Sequence, residues 1–270
     1  MKKYILYITA IFLLFACANN KNGREATAQL AEIEQLINTE KYNAAMIAID
    51  SFHIKFAQMV DLRRKALILE DTISVRQNRR IIAFCDSALA QCKQKLDSLH
   101  TFFRFEKNKK FQAIGSYVYK KQAHNDAIIG CFLETYVDEN ADFYLVENFY
   151  GILPDKNAIF LTVSFGNLYA STDTIPANSP VRHRFELDGS TLETLTLKNE
   201  QVEKFAAFIN QFSDKNLIVL FGKTGKHQLT EIEKRSISIT YQFWKLKKEI
   251  EKLKLQKEKA VKKSIAVLSR

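Results

Sequence analysis

Two runs of apolar residues, spaced alternately by three and four positions, most constrain this chain. The first is Ile82, Cys85, Leu89, Cys92, Leu96, Leu99 and Phe103; the second is Ile232, Ile239, Phe243, Leu246, Ile250 and Leu253, with Ser236 as its gap. Such spacing lines up one stripe along a helix, and the stripe demands a partner helix. The periodicity predicts one long helix over about 58–103 and another over about 228–268. The first seam extends back less cleanly through Asn78, Val75 and Ile68, where a polar Asn78 would fix register. The second weakens after Leu253 to Lys257, Ala260, Ser264 and Val267, and Thr230 with Glu233 has the spacing of a capping box at its start. Three prolines and eight glycines in 270 residues leave room for such long helices.

Residues 105–225 between the seams change character. Ala113–Tyr119, Ile128–Val137, Phe143–Tyr150, Ala158–Phe165 and Leu217–Phe221 are short runs rich in aromatic and β-branched residues. Turn signals separate them: Asp138-Glu139-Asn140, Pro154-Asp155-Lys156-Asn157 and Asp188-Gly189-Ser190. Tyr136-Val137 and Phe143-Tyr144 read as the arms of a hairpin, and Glu200–Phe212 as a helix with Val202, Phe205, Phe208 and Ile209 on one face. The expected class is α+β: a helical N-terminal region and a long C-terminal helix flanking a mostly antiparallel β domain. If the two heptad helices pair within one chain they form an antiparallel coiled-coil stalk that closes the β domain; the alternative is that each seam dimerises with another molecule.

Residues 26–57 read as two short helices. Leu30, Ile33, Leu36 and Ile37 face one way, Thr39-Glu40-Lys41 breaks the helix, and Tyr42, Ala45, Ile49 and Phe52 mark the next face. Tyr42, Ala45 and Ile49 are spaced in a way that resembles a tetratricopeptide-repeat junction. One unit cannot bury a repeat array's faces, so a local helical hairpin is expected.

The chain opens Met1-Lys2-Lys3, followed by 13 uncharged residues from Tyr4 to Ala16. A membrane span needs roughly 20 apolar residues, so this run has the form of a removable export signal. It ends Leu14-Phe15-Ala16-Cys17, which resembles the lipobox of bacterial lipoproteins. That resemblance implies a diacylglyceryl group on Cys17, cleavage before it and acylation of its amino group. The expected organisation is a signal peptide over 1–16, a lipidated tether over 17–25, a helical region over 26–104, a β-rich domain over 105–225, and a basic heptad helix and tail over 226–270. The expected location is the bacterial cell envelope, exported and membrane-anchored, with the periplasmic side favoured over the cell surface.

Charge is unevenly spread. Residues 234–270 hold 12 Lys or Arg against three acids, a balance of +9, whereas 17–233 hold 26 basic and 27 acidic residues, so the basic character of the chain belongs to the last segment. Lys245, Lys248, Lys252, Lys259, Lys262 and Lys263, with Lys247, Lys254 and Lys257, are candidates for contact with an anionic surface. The expected partners are the membrane through lipidated Cys17, and anionic lipid or another envelope protein through the basic helix. Export argues against nucleic acid.

Motifs for chemistry are sparse. Cys85 and Cys92 lie seven apart on a helix, about 10 Å along its axis, too far to bridge. With Cys131 they make an odd number of thiols. His53, His100, His124, His183 and His227 show no metal-ligand spacing, and His183 is expected on the solvent face of a strand. Gly222-Lys223-Thr224-Gly225 resembles the end of a phosphate-binding loop, but Leu217 stands where the loop needs its first glycine. It is expected as a plain strand-to-helix turn. Asp138-Glu139-Asn140-Ala141-Asp142 carries cation-binding oxygens without a calcium loop's later glycine and glutamate. No cofactor or metal is expected. The leading expectation is a non-catalytic interaction or scaffold module. The second is an envelope enzyme or small-ligand binder, with Tyr117, Tyr119, Tyr136, Tyr144, Phe149 and Tyr150 as candidate pocket residues.

Overall fold

The structure, a computed structural model, describes residues 21–269 except 109, 111, 123–130, 152–157, 188 and 223–224. The chain is α+β, with its antiparallel sheets set between N-terminal helices and a long C-terminal helix. Contacts divide it into two compact units, Met1–Ser87 with Lys254–Arg270, and Ala88–Leu253.

Unit 1 is helical. Helix α1 spans residues 21–38 and α2 spans Tyr42–Lys55. Between them Glu40 turns left-handed (φ 59) and the Thr39 hydroxyl donates to the Gln35 carbonyl, ending α1 where expected. Leu30, Ile33 and Ile37 of α1 meet Ala45, Ile49 and Phe52 of α2 in one core, which Ala66 and Ile73 of α3 (Val60–His100) complete. Ile68 is exposed, so the expected backward extension of the seam is wrong there. Buried Ile73 and buried Asn78 are five residues apart, a rotation of about 140° on a helix. Helix α3 therefore turns one face to the hairpin and a second to its later partner. The Asp86 carboxylate receives the Lys257 ammonium of α5 (Glu231–Leu268) at 2.6 Å, which joins the two long helices inside this unit.

Unit 2 holds the sheets. Strands β1 (Phe103–Glu106), β2 (Ser116–Tyr119), β3 (Phe132–Asp138), β4 (Phe143–Gly151), β9 (Arg182–Leu187) and β10 (Ser190–Lys198) form a six-stranded sheet of order β1-β2-β3-β4-β10-β9. Strands β6 (Leu161–Phe165), β7 (Leu168–Ser171), β11 (Ile218–Phe221) and β12 (Gly225–Gln228) form a second sheet, β12-β11-β6-β7, and β5 (Ala158–Ile159) pairs with β8 (Ile175–Pro176). Every pairing is antiparallel. The β3–β4 hairpin has the expected register, Tyr136 opposite Tyr144 and Val137 opposite Phe143, with Ala141 left-handed in its turn. Helix α4 (Glu200–Gln211) packs on β6, β7 and β10 through Val202, Phe205 and Ile209.

The start of α5 is buried on most of its faces, from Glu233 through Trp244, and Trp244 stacks on Phe143 at 5.5 Å. Phe243 meets Phe103 at 4.5 Å and His100 at 6.1 Å, while Leu96 and Leu99 of α3 pack on the same core. The two seams thus meet within one chain. The helix over 58–103 ends three residues early because Phe103 begins β1, and α5 begins at Glu231 because 225–228 form β12. Ile232, expected on the seam, is exposed; Ile237 and Thr240 are buried instead.

Candidate functional site

Polar side chains converge in a cleft of about 300 Å³ where α5 begins. The capping box is formed: the Thr230 amide donates to Glu233 Oε2 at 2.8 Å, and the Glu233 amide donates to Thr230 Oγ1 at 3.2 Å. Glu233 does more than cap. Its Oε1 accepts the Leu133 amide of β3 at 3.0 Å and lies 2.8 Å from His227 Nε2 of β12. Burial opposes this carboxylate's charge, but the bonds from His227, Thr230 and Leu133 outweigh it and hold the carboxyl below its usual range. One side chain thereby ties α5 to two sheets.

Cys131, Ser236 and Gln122 line the same cleft. The Cys131 thiol faces the Tyr150 carbonyl at 3.7 Å, and burial pushes its pKa up, which disfavours the thiolate a nucleophile needs. The Ser236 hydroxyl donates to Gln122 Oε1 at 2.6 Å, which also accepts the Thr135 amide. These polar groups join elements to one another, which is the chemistry of a structural node.

A second polar group lies on the buried face of the six-stranded sheet. Glu193 Oε2 accepts Arg182 Nε at 3.0 Å and Nη2 at 2.8 Å, both side chains being almost wholly enclosed. Glu147 on neighbouring β4 is fully buried, and neither of its oxygens has a hydrogen-bond partner among the described residues. Burial, then the charge of Glu193, pushes its pKa well up, against the pull of Arg182. The neutral form of Glu147 is thereby favoured beside the Glu193–Arg182 pair.

The sequence candidates fall as follows. Cys17 lies outside the described residues. Lys259 and Lys263 are exposed and make no ion pair among the described residues; Lys262 pairs with Glu258, Lys248 with Glu251 and Lys252 with Glu249, all on the surface. Exposed pairs of this kind contribute about 0–1 kcal/mol, so these cations stay open to a stronger anion. Lys245 is bound to Glu203 at 2.8 Å, which raises its pKa, and Lys257 to Asp86. Lys247 is half-buried over the Tyr117 ring at 4.5 Å, and burial lowers its pKa.

The aromatic candidates are placed in the sheet region as follows. Tyr119 and Phe149 are in the core, Tyr117 packs against it, and Tyr136 stacks on Tyr144 at 4.7 Å. Burial first, then Tyr144 and Asp138, pushes Tyr136 up to about 12. His183 is exposed as expected. The turn at Gly222 joins β11 to β12 and not, as expected, a strand to a helix; Lys223 and Thr224 lie outside the described residues. Gly225 is needed for space: a Cβ there would stand 2.9 Å from the Phe149 ring and 2.9 Å from Phe221 Cβ. The acids of 138–142 serve the turn. Asp138 accepts the Asp142 amide, Glu139 accepts the Gly115 amide, and Asp142 pairs with Lys198 at 2.7 Å. Among the described residues no three His, Cys, Asp or Glu side chains are grouped to hold a metal.

Neither family models, nor curated proteins, nor solved structures contain a match to this chain.

Proposed function

We propose that the chain is a lipid-anchored envelope protein that attaches at two points and acts as a non-catalytic interaction or scaffold module. Lipidated Cys17 is the first point; the basic end of α5 is the second. The observation that carries the reading is the make-up of unit 1: residues 254–270 belong to the same compact body as the helices that follow the anchor. Arg76 of α3 holds the Ile37 carbonyl at 3.2 Å and Arg80 pairs with Glu40, so the α1–α2 turn lies beside residues 76–80. Asp86 marks the level of Lys257 on the same helix. Lys259, Lys262 and Lys263 follow within two turns, with exposed Leu255 and Ile265 on either side of them. Lysines with scattered apolar side chains suit an anionic phospholipid surface, where each cation near the headgroups contributes about 1 kcal/mol.

Two measurements test this. Full-length chain expressed with its signal should gain the mass of the lipids, and Cys17→Ala should abolish the gain. Chain from residue 17 carrying Cys17→Ser should co-float with phosphatidylglycerol vesicles at low salt and not with phosphatidylcholine vesicles. Lys259→Gln, Lys262→Gln and Lys263→Gln together should weaken that binding roughly 100-fold. Equal binding to both vesicles removes the second attachment; an unlipidated Cys17 removes the first.

A further inference from the structure

Unit 2 carries a groove that neither the polar node nor the basic tail uses. It runs beside α5 in two stretches, about 430 Å³ along residues 231–242 and about 630 Å³ along residues 241–249, which meet at Leu99 and Gln242. The two ends differ in chemistry. The roomier stretch has a mostly apolar surface, walled by Leu99, Leu246 and the Tyr241 ring, with Lys95 at its edge. The other holds Arg235, which is exposed and makes no ion pair among the described residues, and Ser238, only 6 % exposed, whose hydroxyl has no hydrogen-bond partner. An enclosed hydroxyl without a partner is costly and marks a place where a polar group is wanted.

The charge around the groove decides which group. The two acids on its border are occupied, Glu231 by Lys234 at 2.6 Å and Glu249 by Lys252 at 3.7 Å, and the Lys234 ammonium is also bound to the Lys215 carbonyl. Of the groove's cations, Arg235 and Lys95 are left without a counter-charge among the described residues, and only Arg235 has an orphaned hydroxyl, that of Ser238, on the same stretch of groove. From Ser238 to Glu249 α5 rises about 16 Å, the reach of a medium-length alkyl chain.

We infer that this groove binds a single-chain amphiphile with an anionic head, a fatty acid. The carboxylate accepts from the Arg235 guanidinium and the Ser238 hydroxyl, and the alkyl chain lies over Leu99, Tyr241 and Leu246. Few charged ligands need an apolar wall of this length, and few apolar ones need an unpaired guanidinium beside an orphaned hydroxyl. The site is independent of the attachment proposed above.

The test uses the chain from residue 17 with Cys17→Ser, free of detergent. A dansyl-tagged fatty acid should bind saturably, and laurate should displace it. Arg235→Gln should weaken binding about tenfold, the low end for a hydrogen bond to a charged group. Leu246→Glu should abolish it. Lys263→Gln, outside the groove, should leave it unchanged. Unaltered Trp244 fluorescence shows that each variant has kept the fold of unit 2. Absence of saturable binding overturns the proposal. So does displacement by dodecylamine as readily as by laurate, because the head group then contributes nothing. Equal affinity in Arg235→Gln or Leu246→Glu also overturns it, since the probe then sits elsewhere.

Discussion

Glu147 shows what a single side chain can impose. Its raised pKa means that the folded protein keeps a proton which the unfolded chain releases above the ordinary carboxylate value of 4.5. The unfolded state then binds fewer protons than the native one, so stability falls as pH rises from about 4.5 towards the folded pKa, by up to about 1.4 kcal/mol per pH unit. Glu147→Gln removes the titration but keeps the shape. We expect this variant to be the more stable at pH 8 and to lose its advantage towards pH 4.5, as measured by urea unfolding at both. An equal difference at the two pH values would mean that Glu147 is ionised in the fold. Glu233 has the opposite sign. Its lowered pKa gives stability above the ordinary value that is lost as pH falls through the folded pKa. Glu233→Ala also leaves the Leu133 and Thr230 amides without an acceptor, and should cost about 2–4 kcal/mol. None of this was legible in sequence except the capping box. Thr230 and Glu233 are three apart, a local relation; Glu147, Glu193 and Arg182 are brought together by strand pairing across up to 46 positions, which no spacing rule encodes.

Among elements, the two long helices were the most legible, because a seam repeated over seven positions is a redundant signal. Its limits are equally physical. Ile68 and Ile232 have the right residue type but lie where the helix has turned its face to another neighbour. Strands β10 and β12 were missed for a different reason. The run Ser190–Lys198 alternates Thr and Leu, a good half-buried pattern, but its onset overlaps the turn signal Asp188-Gly189-Ser190, which masks the strand in sequence. Gly225–Gln228 has almost no β signature and is a strand because Phe221 and Gly225 pair tightly. Gly225→Ala should therefore destabilise unit 2 by about 1–3 kcal/mol through overpacking against Phe149, read as a lowered Tm. On α5, Phe243 is fully buried among Phe103, Tyr117 and His100; Phe243→Ala should cost about 3–5 kcal/mol by the same measurement.

For the molecule as a whole, α3 and α5 each contribute residues to both units as unbroken helices. Melting either unit removes helix from the other. Unfolding followed through Trp244, which reports unit 2 alone, should coincide with unfolding followed by far-UV circular dichroism. Two separated transitions would show that the units melt independently.

The composition of unit 1 also sets an order of events. Synthesis proceeds from the amino end, so residues 21–87 emerge before 254–269. All of Ala88–Leu253 precedes them, and the β-rich unit has its full complement of strands before the helical one has its last helix. The helical unit is thus the first to be started and the last to receive its residues. Until then the hairpin stands on its own core with Ala66 and Ile73, while Asp86 waits for the Lys257 ammonium that joins the last helix to it.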